Sequence, residues 1–295
     1  MYIYLALKPR MRLKTQLAIK ADIESLPPRA WSRKDLQKYL AEKREAWNAP
    51  QYFSTGLFID FLVENELART SEIRSKEYGS KSRYVTGELT ILPFACSFFP
   101  RSYVSHATAL HVHGFLPIGT IYVNHEQSPK KTTSRLSQGR IDQAFQNQPR
   151  RSAFEFRTER HTVIFLNGKN TRDAGVIETT GPSGELLRCS SLERTLIDCV
   201  VRPQYVGGIE ALATILPNAI DRVSTEEIVR LLAQTKYACP YHQSLGFLLE
   251  RAGVAGVHLE PLRRLPRRFK FYLDYGMKIP LYDPDWQVYY PATMK

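Results

Sequence analysis

Apolar residues recur at helical spacing three times in the first seventy positions. Across residues 13–26 they are Leu17, Ala18 and Ala21, and the stretch runs into Pro27-Pro28, which ends a helix. Leu36, Tyr39 and Leu40 mark a second helical face, opened by Ser32 with Asp35 three residues on, the spacing of a capping box. Leu57–Ile59 and Phe61–Val63 mark a third, which Ser54 can cap and which ends near Asn65. The period then shortens: residues 68–73 and 83–86 read as strands flanking a polar tip at 75–82. Three helices and a hairpin, in that order, predict a winged helix-turn-helix over residues 1–87.

Beyond Gly87 helices are expected at 89–99 and 105–113, then a strand at 120–124 and a polar, basic stretch from 128 to 148. Alternation at 153–157, 162–166, 175–179 and 185–188 reads as a meander of strands. Helical spacing returns at 192–201, 208–216, 225–234 and 242–252, and strands near 269–274 and 287–290 close the chain. Strands followed by helices argue an α+β second domain over 88–295, so the fold class expected is α+β, a winged helix with a larger mixed domain.

A chain of 295 residues with 43% hydrophobic content can bury about two cores. Its formal charge of +12 points to a polyanionic partner, nucleic acid first and an anionic membrane surface second. Residues 1–100 carry 16 Lys/Arg against 11 Asp/Glu, and residues 101–295 carry 25 against 18, so the larger domain is expected to meet nucleic acid as well. The apolar opening, residues 1–7, is too short for a secretory segment and lacks a basic flank, and 89–99 is too short to span a bilayer, so a cytoplasmic protein without membrane contact is expected. Cys96, Cys189, Cys199 and Cys239 form no C-x-x-C pair and sit in apolar surroundings, which favours buried thiols over a disulfide or zinc.

For DNA, placement matters more than charge. A recognition helix meets base edges with its N-terminal residues, here Gln51, Ser54 and Thr55, while Lys76, Lys81 and Arg83 on the wing and Arg33 and Lys34 on the second helix suit phosphate. Asp60 and Glu64 oppose this, being acidic and on one face of the third helix; either that face turns from DNA or the module contacts protein. In the second domain Arg263, Arg264, Arg267, Arg268 and Lys270, interleaved with Phe269, Phe271 and Tyr272, suit either phosphate contact with base stacking or a solvated edge. The cluster Lys130, Lys131, Arg135, Arg140, Arg150 and Arg151 reads as a mobile loop. His106, His111 and His113 read as packing residues rather than metal ligands, His125-Glu126 lacks the second histidine of a zinc protease, and Asp274, Asp283 and Asp285 lack a nuclease's Glu-x-Lys. Gly207-Gly208 reads as a turn. No catalysis, cofactor or metal is expected.

The segment from Ser190 to Gly208 carries the most information. Ser190 and Glu193 have capping-box spacing, Leu192, Leu196, Cys199 and Val200 form an apolar face, and Arg194 and Asp198, four apart, read as a surface ion pair. Its Glu193-Arg194-Thr195-Leu196-Ile197-Asp198, Arg202-Pro203 and Gly207-Gly208-Ile209 resemble a signature of the AbiEi-family antitoxins. Tyr103–Leu110 with His113-Gly114-Phe115 is similar to a second family segment, in which Ser105 can cap a helix and Gly114 end it. Residues 241–253 and Trp286-Gln287-Val288 are similar to the family's late helix and closing strand. The resemblance implies a DNA-binding antitoxin of a type IV toxin–antitoxin system. Its winged helix would repress its own operon at a promoter with inverted repeats, and its second domain would counteract a nucleotidyltransferase toxin encoded nearby. Glu193, Arg194 and Asp198 would then fix the domain's architecture rather than react. The alternative is a stand-alone transcription regulator or RNA-binding protein without a toxin.

Overall fold

The computed structural model describes residues 11–127 and 136–294. The opening apolar run and Lys130, Lys131 and Arg135 lie outside them. The fold is α+β, in two compact units, Met1–Phe98 and Phe99–Lys295.

The first unit runs α1 (Leu13–Glu24), β1 (Arg29–Trp31), α2 (Arg33–Lys43), α3 (Thr55–Glu64), β2 (Arg69–Ser75), β3 (Gly79–Thr86) and α4 (Ile91–Cys96). Local chemistry explains the starts. Ser32 accepts from the Asp35 amide and the Asp35 carboxylate accepts from the Ser32 amide, a full capping box, and Ser54 accepts from the Leu57 amide. Three helices enclose a core of Ile19, Ile23, Leu36, Leu40, Phe58 and Leu62, and rings step through it from Trp31 to Tyr39, Trp47 and Phe58 with centroids 5.1, 5.7 and 5.6 Å apart. On α1 the buried face is Thr15, Ile19 and Ile23, spaced four apart, whereas Leu17 lies off that face and is exposed. Strand β1, too short to leave a periodic signal, pairs with β3 (Trp31↔Tyr84), and β3 pairs with β2 (Ser75↔Gly79), giving an antiparallel sheet in the order β1-β3-β2. Helix α4, expected in the second domain, packs against β1 and belongs to this unit.

The second unit runs β4 (Tyr103–Val104), α5 (His106–Val112), β5 (Ile121–Gln127), α6 (Gln138–Gln146), β6 (Glu155–Arg157), β7 (Thr162–Lys169), β8 (Val176–Thr180) and β9 (Leu186–Ser190). Then follow α7 (Leu192–Val201), α8 (Ile209–Ile215), α9 (Thr225–Thr235), α10 (Tyr241–Arg251), α11 (Gly256–Arg263), β10 (Phe271–Tyr272), β11 (Pro280–Asp283) and β12 (Val288–Pro291). Its larger sheet has the order β6-β7-β5-β4-β9-β8. The expected meander is present only as two hairpins, β6 with β7 and β8 with β9; between them β5 pairs parallel with β7, and β4 parallel with β9. Parallel neighbours need a crossover, and α6, in the stretch read as a loop, lies within the one between β5 and β7. A second sheet, β10-β12-β11, closes the chain.

Helices α7, α9, α10 and α11 pack on one another. Every residue of α10 from Tyr241 to Leu249 is buried, which marks it as the central helix rather than an amphipathic one. Trp286, fully buried, lies against Gly246 at the middle of α10; its indole Nε1 donates to Glu250 and its carbonyl accepts from Gln243. The late helix and closing strand noted in the sequence therefore meet through one tryptophan.

Candidate nucleic-acid interface

In the first unit the N-terminal end of α3 and the wing tip carry the exposed polar groups. Gln51 and Ser54 are exposed and Thr55 half-buried. Arg33 and Lys34, exposed at the start of α2, stand near this end, the Arg33 guanidinium reaching the first turn of α3 at Gly56. Lys76 is exposed at the tip and Lys81 half-buried on β3. Arg83 differs. Its Nε and Nη2 both donate to the Ser97 carbonyl, Nη1 donates to that of Ser82, and the guanidinium lies 4.3 Å from the Phe98 ring centroid. Burial lowers its pKa. This cation holds the segment after α4 to the wing, which leaves the exposed Lys76 and the half-buried Lys81 as the wing's remaining candidates. On α3, Asp60, Val63 and Glu64 are exposed, while Phe58, Ile59, Phe61 and Leu62 face the core. The acidic side of the helix therefore points to solvent.

In the second unit Arg264, Arg268 and Lys270 are exposed, but Arg263 and Arg267 lie over the Trp286 indole at 4.8 and 5.7 Å, and Arg263 pairs with Glu250. Phe271 is buried, so stacking on bases is left to Phe269 and Tyr272 at most. Two of the five cations in this cluster pack the tryptophan rather than forming an open edge.

The α7 segment departs furthest from expectation. Its N-cap is Ser191, which accepts from the Arg194 amide, whereas Ser190 bonds Thr195. The cap shifts by one because Ser190 still belongs to β9. Glu193 accepts from the Ser191 hydroxyl and the Ser224 amide, tying α7 to the start of α9. Arg194 and Asp198 do not lie on the surface: their side chains are 1% and 4% exposed. Arg194 Nε donates to Asp198 Oδ1 at 2.9 Å, and its other nitrogens donate to Thr171 Oγ1, the Ala174 carbonyl and the Tyr103 hydroxyl, with Glu126 3.8 Å away. Glu126 in turn accepts from the amides of Thr171 and Asp173. Burial alone would lower the guanidinium pKa, but Asp198 raises it above its ordinary value. Spacing predicted the pair; its burial comes from β4, β5 and the 171–174 turn closing over it.

The α5 segment ends as expected and starts otherwise. Gly114 takes φ 88°, its amide bonds the His111 carbonyl and the Phe115 amide bonds that of Leu110, a Schellman stop. Ser105 makes no helix cap; its hydroxyl pairs with His106 Nδ1 at 2.9 Å, and His106 itself has φ 53°. His111 and His113 bond separate carbonyls, of Leu116 and Ser190. Cys189 and Cys199 are buried, Cys96 and Cys239 half-buried. Asp274 and Asp283 accept from the backbone amides of Tyr275 and Trp286, and no metal-binding cluster of His, Cys, Asp or Glu is found among the described residues.

Two buried histidines make acid stability testable. Burial pushes the pKa of His106 and of His242 down to about 4, in His106 against the pull of Asp198 and with the push of Arg202 and Arg194, in His242 with that of Arg267. Unfolded, each titrates near 6.5, so their contribution is complete above that pH and is lost as pH falls from about 6.5 to 4. For His106 the loss should be on the order of 3 kcal/mol. Urea midpoints measured between pH 7.5 and 4.5 should fall accordingly. His106→Asn, which tolerates the positive φ and does not titrate, should flatten the fall, and an unchanged slope would assign it elsewhere.

No family model matches the chain, and no curated protein matches it. The fold is similar to that in the crystal structure of the RV2827C protein from Mycobacterium tuberculosis, with a TM-score of 0.50 and 15% identity, over 95% of this chain and 92% of that one. No helix among the described residues is long and apolar enough to cross a membrane.

Proposed function

We propose that this protein is a non-enzymatic DNA-binding regulator whose first unit docks as a winged helix. One observation carries the reading: α1, β1, α2, α3, β2 and β3 follow the winged-helix order, with the sheet β1-β3-β2 and the wing tip and the N-terminal end of α3 exposed. The solvent-facing acids of α3 require the helix to enter the groove end-on, with Gln51, Ser54 and Thr55 at base edges, because Asp60 and Glu64 lying along the duplex would repel phosphate. Arg33 and Lys34 on α2 and Lys76 and Lys81 on the wing then serve as phosphate contacts. The similarity to AbiEi-family antitoxins extends the proposal: a cytoplasmic repressor of its own promoter, with the second unit opposing a nucleotidyltransferase toxin.

A shift assay on the gene's upstream DNA across a salt series tests the DNA half. Lys76→Ala with Lys81→Ala should weaken binding and flatten the logarithmic salt slope by about two units, one per lost phosphate contact. Arg83→Ala should lower stability with little change of slope. If neither lysine alters the slope, the wing does not touch DNA. Co-expression of the full chain with a neighbouring nucleotidyltransferase frame tests the antitoxin half: growth should be rescued, and the absence of such a frame would favour a stand-alone regulator.

A further inference from the structure

The second unit holds a cavity of about 530 Å³ that neither reading above uses. Its mouth is cationic. Arg150 and Arg151 follow α6, Lys169 ends β7 and Arg202 follows α7, so three separate segments bring four exposed cations to one opening. Arg202 is steadied by a hydrogen bond to the Arg150 carbonyl at 3.4 Å, and Lys169 by one to the Lys236 carbonyl. The floor has the opposite character. Asp198 is the single acid of the lining; Oδ1 takes the Arg194 bond, whereas the buried Oδ2 has no hydrogen-bond partner among the described residues. His106 and Tyr205 form an aromatic wall, centroids 5.2 Å apart and nearly perpendicular. His106 reaches that wall through a positive φ that few residues other than glycine adopt, the kind of backbone strain that clusters at binding sites.

A ligand that satisfies both ends must be anionic at one end and a hydrogen-bond donor at the other. A bare phosphate fits the mouth but would bring a second anion toward Asp198, and a neutral ring would leave the four cations unused. We propose that this cavity binds a nucleoside phosphate. The phosphate sits among Arg150, Arg151, Lys169 and Arg202, the ring lies beside His106 and Tyr205, and a sugar hydroxyl or base N–H donates to Asp198 Oδ2. The volume lies within the range of small-molecule sites. The proposal concerns binding, and it stands independently of DNA contact by the first unit.

Calorimetric titration of the full-length protein with the four nucleoside 5′-monophosphates, the corresponding nucleosides and inorganic phosphate tests it. At least one monophosphate should saturate the site, at least tenfold more tightly than its nucleoside or phosphate alone. Arg151→Ala with Arg202→Ala, both exposed, should weaken it by tenfold or more at an unchanged melting temperature, while Lys76→Ala with Lys81→Ala leaves it intact. A short RNA ending in the same phosphorylated nucleotide distinguishes the source: tighter binding than the mononucleotide assigns the cavity to a strand end, weaker binding to the free nucleotide. Asp198 is probed from the ligand's side, since substituting it would strand Arg194. Inorganic phosphate binding as tightly as any nucleotide, no saturation at millimolar nucleotide, or insensitivity to the arginine substitutions would each overturn the proposal.

Discussion

Replacing Arg194 with methionine should cost about 3–5 kcal/mol, a large share of the stability of an ordinary domain. The arginine is 1% exposed and faces two carboxylates: Asp198, bonded at 2.9 Å, and Glu126, 3.8 Å away. Methionine fills most of its volume but leaves both acids buried without a cation, and it strips donors from Thr171, Ala174 and Tyr103. Desolvating unpaired charge, rather than forming a cavity, dominates. Changing Asp198 to leucine in the same chain should return part of the loss, because a buried pair replaced as a whole costs less than one broken in half. The recovery should stay incomplete, since Glu126 and the orphaned acceptors remain. Urea unfolding of the single and double variants measures the difference. A single variant as stable as the parent would mean that water reaches the cluster.

Trp286→Ala should cost a similar 3–5 kcal/mol by removing a fully buried indole. Gly246→Ala is the sharper case. Alanine is favoured over glycine in a helix by about 1 kcal/mol, yet a Cβ here would clash with Cζ3 and Cη2 of the Trp286 benzo ring. The ring cannot swing aside, because Nε1 is bonded to Glu250 and Arg263 and Arg267 cover its face. Overpacking of this kind costs roughly 1–3 kcal/mol or more and should reverse the sign of the helix preference. Gly246→Ala combined with Trp286→Leu should be less destabilising than the sum of the two, and thermal melts of the four proteins close the cycle. Strict additivity would show that glycine and tryptophan do not oppose each other.

The first unit was the more legible because its signals are local. Ser32 with Asp35 and Ser54 act within one turn of their helices, and Pro27-Pro28 stops α1 in place. Strand β1 escaped because three residues cannot show a period. In the second unit the helices from α7 to α10 could be placed from spacing, but the pairing of β5 with β7 and β4 with β9 could not, since alternation says nothing about a strand's neighbour. The Arg194–Asp198 spacing revealed a pair and concealed its depth, which depends on Tyr103, Glu126 and Thr171, far away in sequence. The cationic mouth was hidden for the same reason. Arg150 and Arg151 stood out only as the end of a basic run, and nothing local links them to Lys169 or Arg202.

The parallel pairing of β4 with β9 also bears on how the chain is made. Val104 lies opposite Cys189, 85 residues later. At roughly 5–20 residues per second, synthesis leaves β4 without this neighbour for on the order of ten seconds. During that interval the first unit has all its strands, while Tyr103 and Glu126 still wait for Arg194. The buried cluster is therefore a late event on the ribosome, and the edges exposed until then are the chain's exposure to mispairing with its own copies.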